Sequence, residues 1–271
     1  MRIALVGTEN SHADHIVRLL NVDRIADARI VALVGNDEKT RKLAAVGGIA
    51  DVVPTSGELI GSVDALIITN RDGALHRELA VPFLEAGIPV WVDKPLAAGT
   101  ADARAILDAA RDTLVTSYSA VRWVADADAI AAADVGQVQT VTVTGPADPD
   151  SEYSGIFFYG IHIADLAQRL APGEPGPVEV ERVGSTIVAR YRSGEVLVTL
   201  QFVKPTAEAR VPFHATVVGR TGLASQAIQL DDDYVVPGLK IFLQMLENGE
   251  RPLDDAAMLA PITVLEQMRS G

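Results

Sequence analysis

The chain has 271 residues, 48% of them apolar and 22% charged, a globular composition with length for about two domains of roughly 150 residues. Its formal charge of −13 argues against nucleic acid or an anionic membrane as partner, since both need a cationic face and no Lys/Arg run supplies one. Cysteine is absent, which excludes disulfides, thiolate metal sites and thiol nucleophiles; no apolar stretch approaches the ~20 residues of a bilayer span, and the opening MRIALVG is too short for a signal peptide, so a cytoplasmic protein is expected.

Short Val/Ile/Leu runs alternate with helical segments over residues 1–119: Ile3–Val6, Ile30–Val34, Ala65–Ile68, Val90–Val92 and Leu114–Thr116. Strands separated by helices predict a doubly wound parallel sheet of the Rossmann type. The unit from Asp64 to Ala98 is the most regular. Strand Ala65–Ile68 leads into the polar turn Thr69-Asn70-Arg71-Asp72, where Asp72 can cap the next helix. That helix carries Leu75, Leu79 and Phe83, stops at Gly87 and returns to a second apolar strand, a βαβ arrangement. Lys94-Pro95 follows this strand, in the crevice outside the carboxyl ends where open α/β sheets bind ligands.

After a helical stretch near Val121–Ala133 the pattern changes. Val138–Thr144, Val178–Val183, Thr186–Tyr191, Glu195–Val203 and Val211–Val218 follow closely, with turn signals at Arg192-Ser193-Gly194 and Arg220-Thr221-Gly222. Residues 120–271 are therefore expected to form an α+β domain with a mostly antiparallel open sheet, closed by helices over Val236–Asn248 and Asp254–Arg269. On the strand Glu195–Val203, Val196, Val198, Leu200 and Phe202 make one apolar face, to be covered by the domain's own helices. The opposite face, Leu197, Thr199, Gln201 and Val203, is a candidate subunit contact.

Residue by residue, the segment ending in Asp93-Lys94-Pro95 resembles the Gfo/Idh/MocA oxidoreductases, named for glucose-fructose oxidoreductase and inositol dehydrogenase, whose strand ends in Glu-Lys-Pro with the lysine beside the nicotinamide. Asp93 is one methylene shorter. The resemblance continues in Tyr159-Gly160-Ile161-His162-Ile163-Ala164-Asp165, which matches the family's Gly-x-His-x-x-Asp element. His162 and Asp165 share a helix face there. His76 matches a histidine common in the family and reads as a helix residue bonded to a neighbouring loop.

The cofactor signature departs from the pattern. A dinucleotide-binding turn reads Gly-x-Gly-x-x-Gly, whereas this chain has Gly7-Thr8-Glu9-Asn10-Ser11-His12. The alignment sets the Glu9 carboxylate beside a pyrophosphate, a repulsion of roughly 4 kcal/mol at 4 Å and an effective dielectric of 20, unless the side chain points away. Asn10, Ser11 and the amides ahead of Ala13 can still donate. At the end of the second strand Asp37 can bind an adenosine ribose, while Lys39 and Arg41 can face a 2′-phosphate; NAD is favoured over NADP on Asp37 alone. His12 and His15 lack a third ligand, and no metal is expected.

The resemblance thus implies an NAD(P)-dependent oxidoreductase moving a hydride between the nicotinamide and a secondary hydroxyl or ketone of a sugar, cyclitol or related polyol. Lys94, His162 and Asp165 are the catalytic candidates: Lys94 on the reacting oxygen, His162 exchanging the proton, Asp165 orienting the histidine or binding a hydroxyl. Gly7, Asn10, Ser11, His12, Asp37, Asn70, Asp93 and Lys94 are the cofactor candidates. Tyr159, Tyr118, Arg122 and Trp123 are the substrate candidates. Two rivals remain: a redox-neutral lyase or epimerase using transient oxidation, and a non-catalytic ligand sensor or scaffold. Family members commonly pair through the second sheet, which implies a homo-oligomer, a dimer or tetramer.

Overall fold

The computed structural model describes residues 1–270. The chain divides into two compact units: Met1–Ala97, Ala101–Ser117 and Val235–Leu253 make the first, and Ala98–Thr100, Tyr118–Tyr234 and the segment from Asp254 make the second. The division at Ser117/Tyr118 lies close to the expected boundary at 119/120. The helix after Val235, expected in the second domain, belongs to the first, where Phe242 is fully buried with its ring 5.5 Å from that of Trp91.

The first unit is built on six parallel strands, β1 (Arg2–Val6), β2 (Arg29–Val34), β3 (Asp51–Val53), β4 (Ala65–Ile68), β5 (Val90–Val92) and β6 (Val115–Thr116), in the order β3-β2-β1-β4-β5-β6. This is the doubly wound order, and the chain reverses direction across the sheet between β1 and β4. Between the strands run α1 (Ser11–Val17, continued by a π-helical turn), α2 (Glu38–Gly47), α3 (His76–Glu85) and α4 (Thr100–Ala110). The central strands are buried on both faces, Ile3, Ala4, Leu5, Leu66, Ile67 and Val92 being wholly covered, which is why their sequences read as unbroken apolar runs. β3 escaped the pattern because it has only three residues, none fully buried.

The second unit begins with a 3₁₀ turn at Ala120–Arg122 and a short helix α5 (Ala125–Ala131), shorter than the expected helical stretch. Its sheet comprises β7 (Val138–Pro146), β8 (Glu179–Val183), β9 (Thr186–Ser193), β10 (Val196–Val203), β11 (Phe213–Gly219) and β12 (Leu223–Ile228), in the order β12-β11-β7-β10-β9-β8. All pairings are antiparallel except β7 with β10. Between β7 and β8 lies α6 (Phe157–Leu170), and α8 (Asp255–Ser270) closes the unit; α7 (Val236–Asn248) is the helix of the first unit.

Alternation fixes the faces of this sheet. Val141, Val143, Val198, Leu200, Phe202, Ala189 and Ala215 are buried on the face that α6 covers. The other carries Thr142, Thr199, Gln201, Thr216 and the exposed Leu197 and Val218. Among the described residues no helix is long and apolar enough to cross a membrane.

Candidate active site

In the first unit the loops after β1, β4 and β5 carry the candidates. Gly7 ends β1 with φ +94°, and a Cβ there would lie 2.2 Å from the Asn70 amide nitrogen, so only glycine lets the turn pass under the end of β4. Asn10 caps α1: its Oδ1 accepts from His12 N at 3.1 Å, and its Nδ2 donates to Thr69 O at 2.9 Å. Asn10 N donates to Gly7 O and Ala13 N to Asn10 O. Three of the turn's amides are therefore engaged within the turn, and Ser11 is exposed at the helix start.

Glu9 points away from that turn's interior. Its Oε1 accepts from Arg71 N at 3.1 Å and Asn70 Nδ2 at 3.3 Å, tying the first βα turn to the loop after β4. The repulsion feared from the sequence is thus relieved by neighbours that the sequence pattern does not reveal. Asp37 caps α2, accepting from Thr40 N at 2.8 Å and Thr40 Oγ1 at 3.0 Å; those bonds hold its carboxyl below the ordinary range.

Asp93, Lys94 and His12 form one buried cluster. Asp93 Oδ2 stands 2.7 Å from His12 Nδ1, 3.7 Å from Lys94 Nζ and 3.4 Å from Asn10 Nδ2. Burial by itself raises an aspartate, but the charges of His12 and Lys94 and the bond to His12 outweigh it, and Asp93 titrates well below the usual carboxylate range. The Lys94–Pro95 bond is cis. His76, wholly buried, reaches Pro95 O at 2.7 Å and Asn70 O at 3.0 Å through its two ring nitrogens, bracing the two loops; burial pushes it below the ordinary histidine value.

Asn70 Oδ1, at the end of β4, is buried and has no hydrogen-bond partner among the described residues, an acceptor that a ribose hydroxyl would suit. Lys94 lies one strand away, at the end of β5. The turn after β1 offers a pyrophosphate little beyond the Ser11 hydroxyl and the amides left unengaged. The fit is good for the ribose and nicotinamide, and sparse for the phosphates.

In the second unit α6 presents His162 and Asp165, both buried. The Asp165 oxygens are taken by Ser119 N at 2.8 Å and Arg122 Nη1 at 2.8 Å. Burial pushes Asp165 upward, and the nearby Arg122 only partly offsets this. The imidazole of His162 meets Ser119, Oγ to Nδ1 at 2.6 Å. The rings of Tyr159 and Phe213 pack edgewise on His162 at 5.4 and 5.5 Å.

Arg122 is buried, its terminal nitrogens bonded within the unit to Asp165 and to Gln168 Oε1 at 3.2 and 3.3 Å, while its Nε has no partner among the described residues. Trp123 lies between the guanidinium groups of Arg122 and Arg169, each 5.5 Å from its ring, with the buried Tyr118 ring against its edge. Its indole Nε1 is buried without a partner among the described residues. Tyr159 lines a cleft of about 460 Å³ together with Phe158, Glu152, Ser151, Thr206 and Arg210.

Comparison with known proteins places this architecture. Residues 1–120 match the model of the Gfo/Idh/MocA group, described as an oxidoreductase family with an NAD-binding Rossmann fold. An inositol 2-dehydrogenase of Saccharopolyspora erythraea is 36% identical over 112 residues, 40% of this chain and 32% of that protein. One from Agrobacterium fabrum is 36% identical over 117 residues, 40% of this chain and 33% of that protein. The matched segment therefore spans about a third of these relatives. Among solved structures, myo-inositol dehydrogenase of Lactobacillus casei in complex with NAD(H) and myo-inositol superposes with TM-score 0.82 at 16% identity, over 100% of this chain and 94% of that one. GenD2 from gentamicin A biosynthesis, in complex with NAD, gives 0.84 at 17% identity over 100% and 93%. At such identities the likeness is one of fold, and it covers both units. The match to the Gfo/Idh/MocA model thus covers the first 120 of the 271 residues, the dinucleotide-binding type of unit, and the likeness beyond them is one of fold.

Proposed function

We propose that the protein is a nicotinamide-dependent oxidoreductase acting on a secondary hydroxyl, or the corresponding ketone, of a cyclitol, sugar or related polyol. The observation that carries this is the buried Lys94, held by Asp93 at the carboxyl end of β5 in a chain that also keeps His162 buried on α6. A bound nicotinamide supplies the hydride acceptor or donor. Asn70 and Lys94 would hold its ribose and ring end, and Ser11 the phosphate end.

The chain's own residues move the proton. Lys94 donates a hydrogen bond to the reacting oxygen and stabilises negative charge developing there. His162 exchanges the hydroxyl proton, taking it in oxidation and returning it in reduction. Tyr159 and the cleft that it lines supply hydrogen bonds for the other hydroxyls. NAD is favoured over NADP by Asp37, although Lys39 and Arg41 lie close by in sequence. The open face of the second sheet, with Leu197 and Val218 exposed, supports a homo-oligomer.

The test is direct. The purified protein is offered NAD and NADP, uptake is followed by calorimetry, and reduction of the cofactor is followed by absorbance across inositols, sugars and amino sugars. Polyol-dependent reduction that is lost in Lys94→Ala is the expected result. Tight polyol binding with no turnover would favour the sensor reading, in which the same pockets bind without chemistry.

A further inference from the structure

We infer that Ser119 is a positioning residue that sets the tautomer of His162, keeping Nδ1 as an acceptor and the ring proton on Nε2. Ser119 is wholly buried and immediately precedes the 3₁₀ turn Ala120–Arg122, which it caps by accepting from Val121 N at 3.1 Å through Oγ. The same Oγ lies 2.6 Å from His162 Nδ1.

A serine hydroxyl has one hydrogen to give and two lone pairs. Val121 N–H must donate to Oγ, which occupies one lone pair. The hydroxyl hydrogen then has one acceptor in reach, His162 Nδ1, because Ser119's other bond is made by its backbone N–H to Asp165. Were Nδ1 to carry the proton, it would donate to Oγ and leave the hydroxyl hydrogen buried without an acceptor, at the desolvation cost of an unmade hydrogen bond. The Nε2–H tautomer satisfies Val121 N, the Ser119 hydroxyl and His162 Nδ1 together.

This has a chemical consequence, which rests on the role proposed for His162. A neutral imidazole protonated at Nε2 is a donor towards whatever that nitrogen meets. It can hydrogen-bond a ketone oxygen through Nε2–H; full transfer of that proton requires the ring to gain one at Nδ1, and to take a proton from a hydroxyl Nε2 must first lose its own. Ser119 thereby sets the resting ring to present a hydrogen-bond donor at Nε2. Through its backbone N–H the same residue fixes Asp165, so one serine holds both polar residues of the Gly-x-His-x-x-Asp element.

The tautomer is read without turnover, by nitrogen-15 and proton correlation spectroscopy of histidine-labelled protein near neutral pH. The His162 signals are assigned by their loss in His162→Asn. Wild type is expected to show Nδ1 unprotonated and Nε2 protonated; the reverse pattern overturns the inference by itself, whether or not any variant folds. In Ser119→Ala the two tautomers should mix, and Ser119→Thr, which keeps a hydroxyl, should restore the wild-type pattern; an unchanged ring in Ser119→Ala would also overturn it. In the kinetic arm Ser119→Ala should lower kcat for ketone reduction roughly tenfold, the worth of one hydrogen bond, at unchanged KM and with a displaced pH profile. The wild-type tautomer found in a protein with no polyol turnover would leave this inference standing and remove the proposed function.

Discussion

His12 Nδ1 and Asp93 Oδ2 lie 2.7 Å apart with both side chains buried, and Lys94 shares the same oxygen at 3.7 Å. His12 therefore stands where the glycine pattern expects a third glycine, yet serves the lysine loop. Asp93→Asn should cost about 3–5 kcal/mol at neutral pH, because it takes the counter-charge from buried partners. Asp93 has a folded-state pKa below its unfolded value, so its contribution is complete above roughly pH 4 and is lost as pH falls below that. Denaturant titrations should show the gap between variant and wild type shrinking between pH 6 and pH 3. A constant gap would refute the pairing.

Glu9 gives a second prediction. Its carboxylate is held by Arg71 N and Asn70 Nδ2, so Glu9→Gln should change dinucleotide affinity by less than about threefold. Were the carboxylate instead about 4 Å from a phosphate, neutralising it would tighten binding by up to roughly a thousandfold. Calorimetry separates the two outcomes plainly.

Arg122 gives a third. The guanidinium is committed to Asp165 and Gln168, so Arg122→Met should act on stability and its pH dependence. Burial already raises Asp165, and removing the cation raises it further. A raised carboxylate contributes stability that is complete below about pH 4 and is lost as pH rises through the folded value. The loss should be about 3–5 kcal/mol at pH 7 and visibly smaller at pH 4, so the gap to wild type shrinks on acidification here too. A variant as stable as wild type with a raised substrate KM would return Arg122 to the substrate.

Much of this was legible in the residues. Ala65–Ile68 and Val90–Val92 were found to the residue, because a buried parallel strand is an unbroken apolar run, and α7 was bounded correctly by its pattern and Gly249. Its place in the first unit was not legible, since chain order does not say which core Phe242 enters. β12, Leu-Ala-Ser-Gln-Ala-Ile, went unseen because its small residues lack the β-branched signature. His162 and Asp165 were readable as a motif on one helix. Their anchor was not, because Ser119 is 43 positions from His162 and a lone serine carries no periodicity. The partners of Glu9 and His12, Arg71 and Asp93, were hidden for the same reason, lying 62 and 81 positions away.

The last prediction concerns Lys94 and His162 together. If both stabilise one proton-transfer step, Lys94→Ala should lower kcat at least about a hundredfold with dinucleotide affinity nearly unchanged, because the lost interaction belongs to the transition state. His162→Asn should flatten the pH–rate profile near neutrality, where an ordinary histidine titrates. The double variant should lose far less than the product of the single losses, since groups that act as a unit are not additive. Fully multiplicative losses in a double-mutant cycle would show that the two residues serve separate steps.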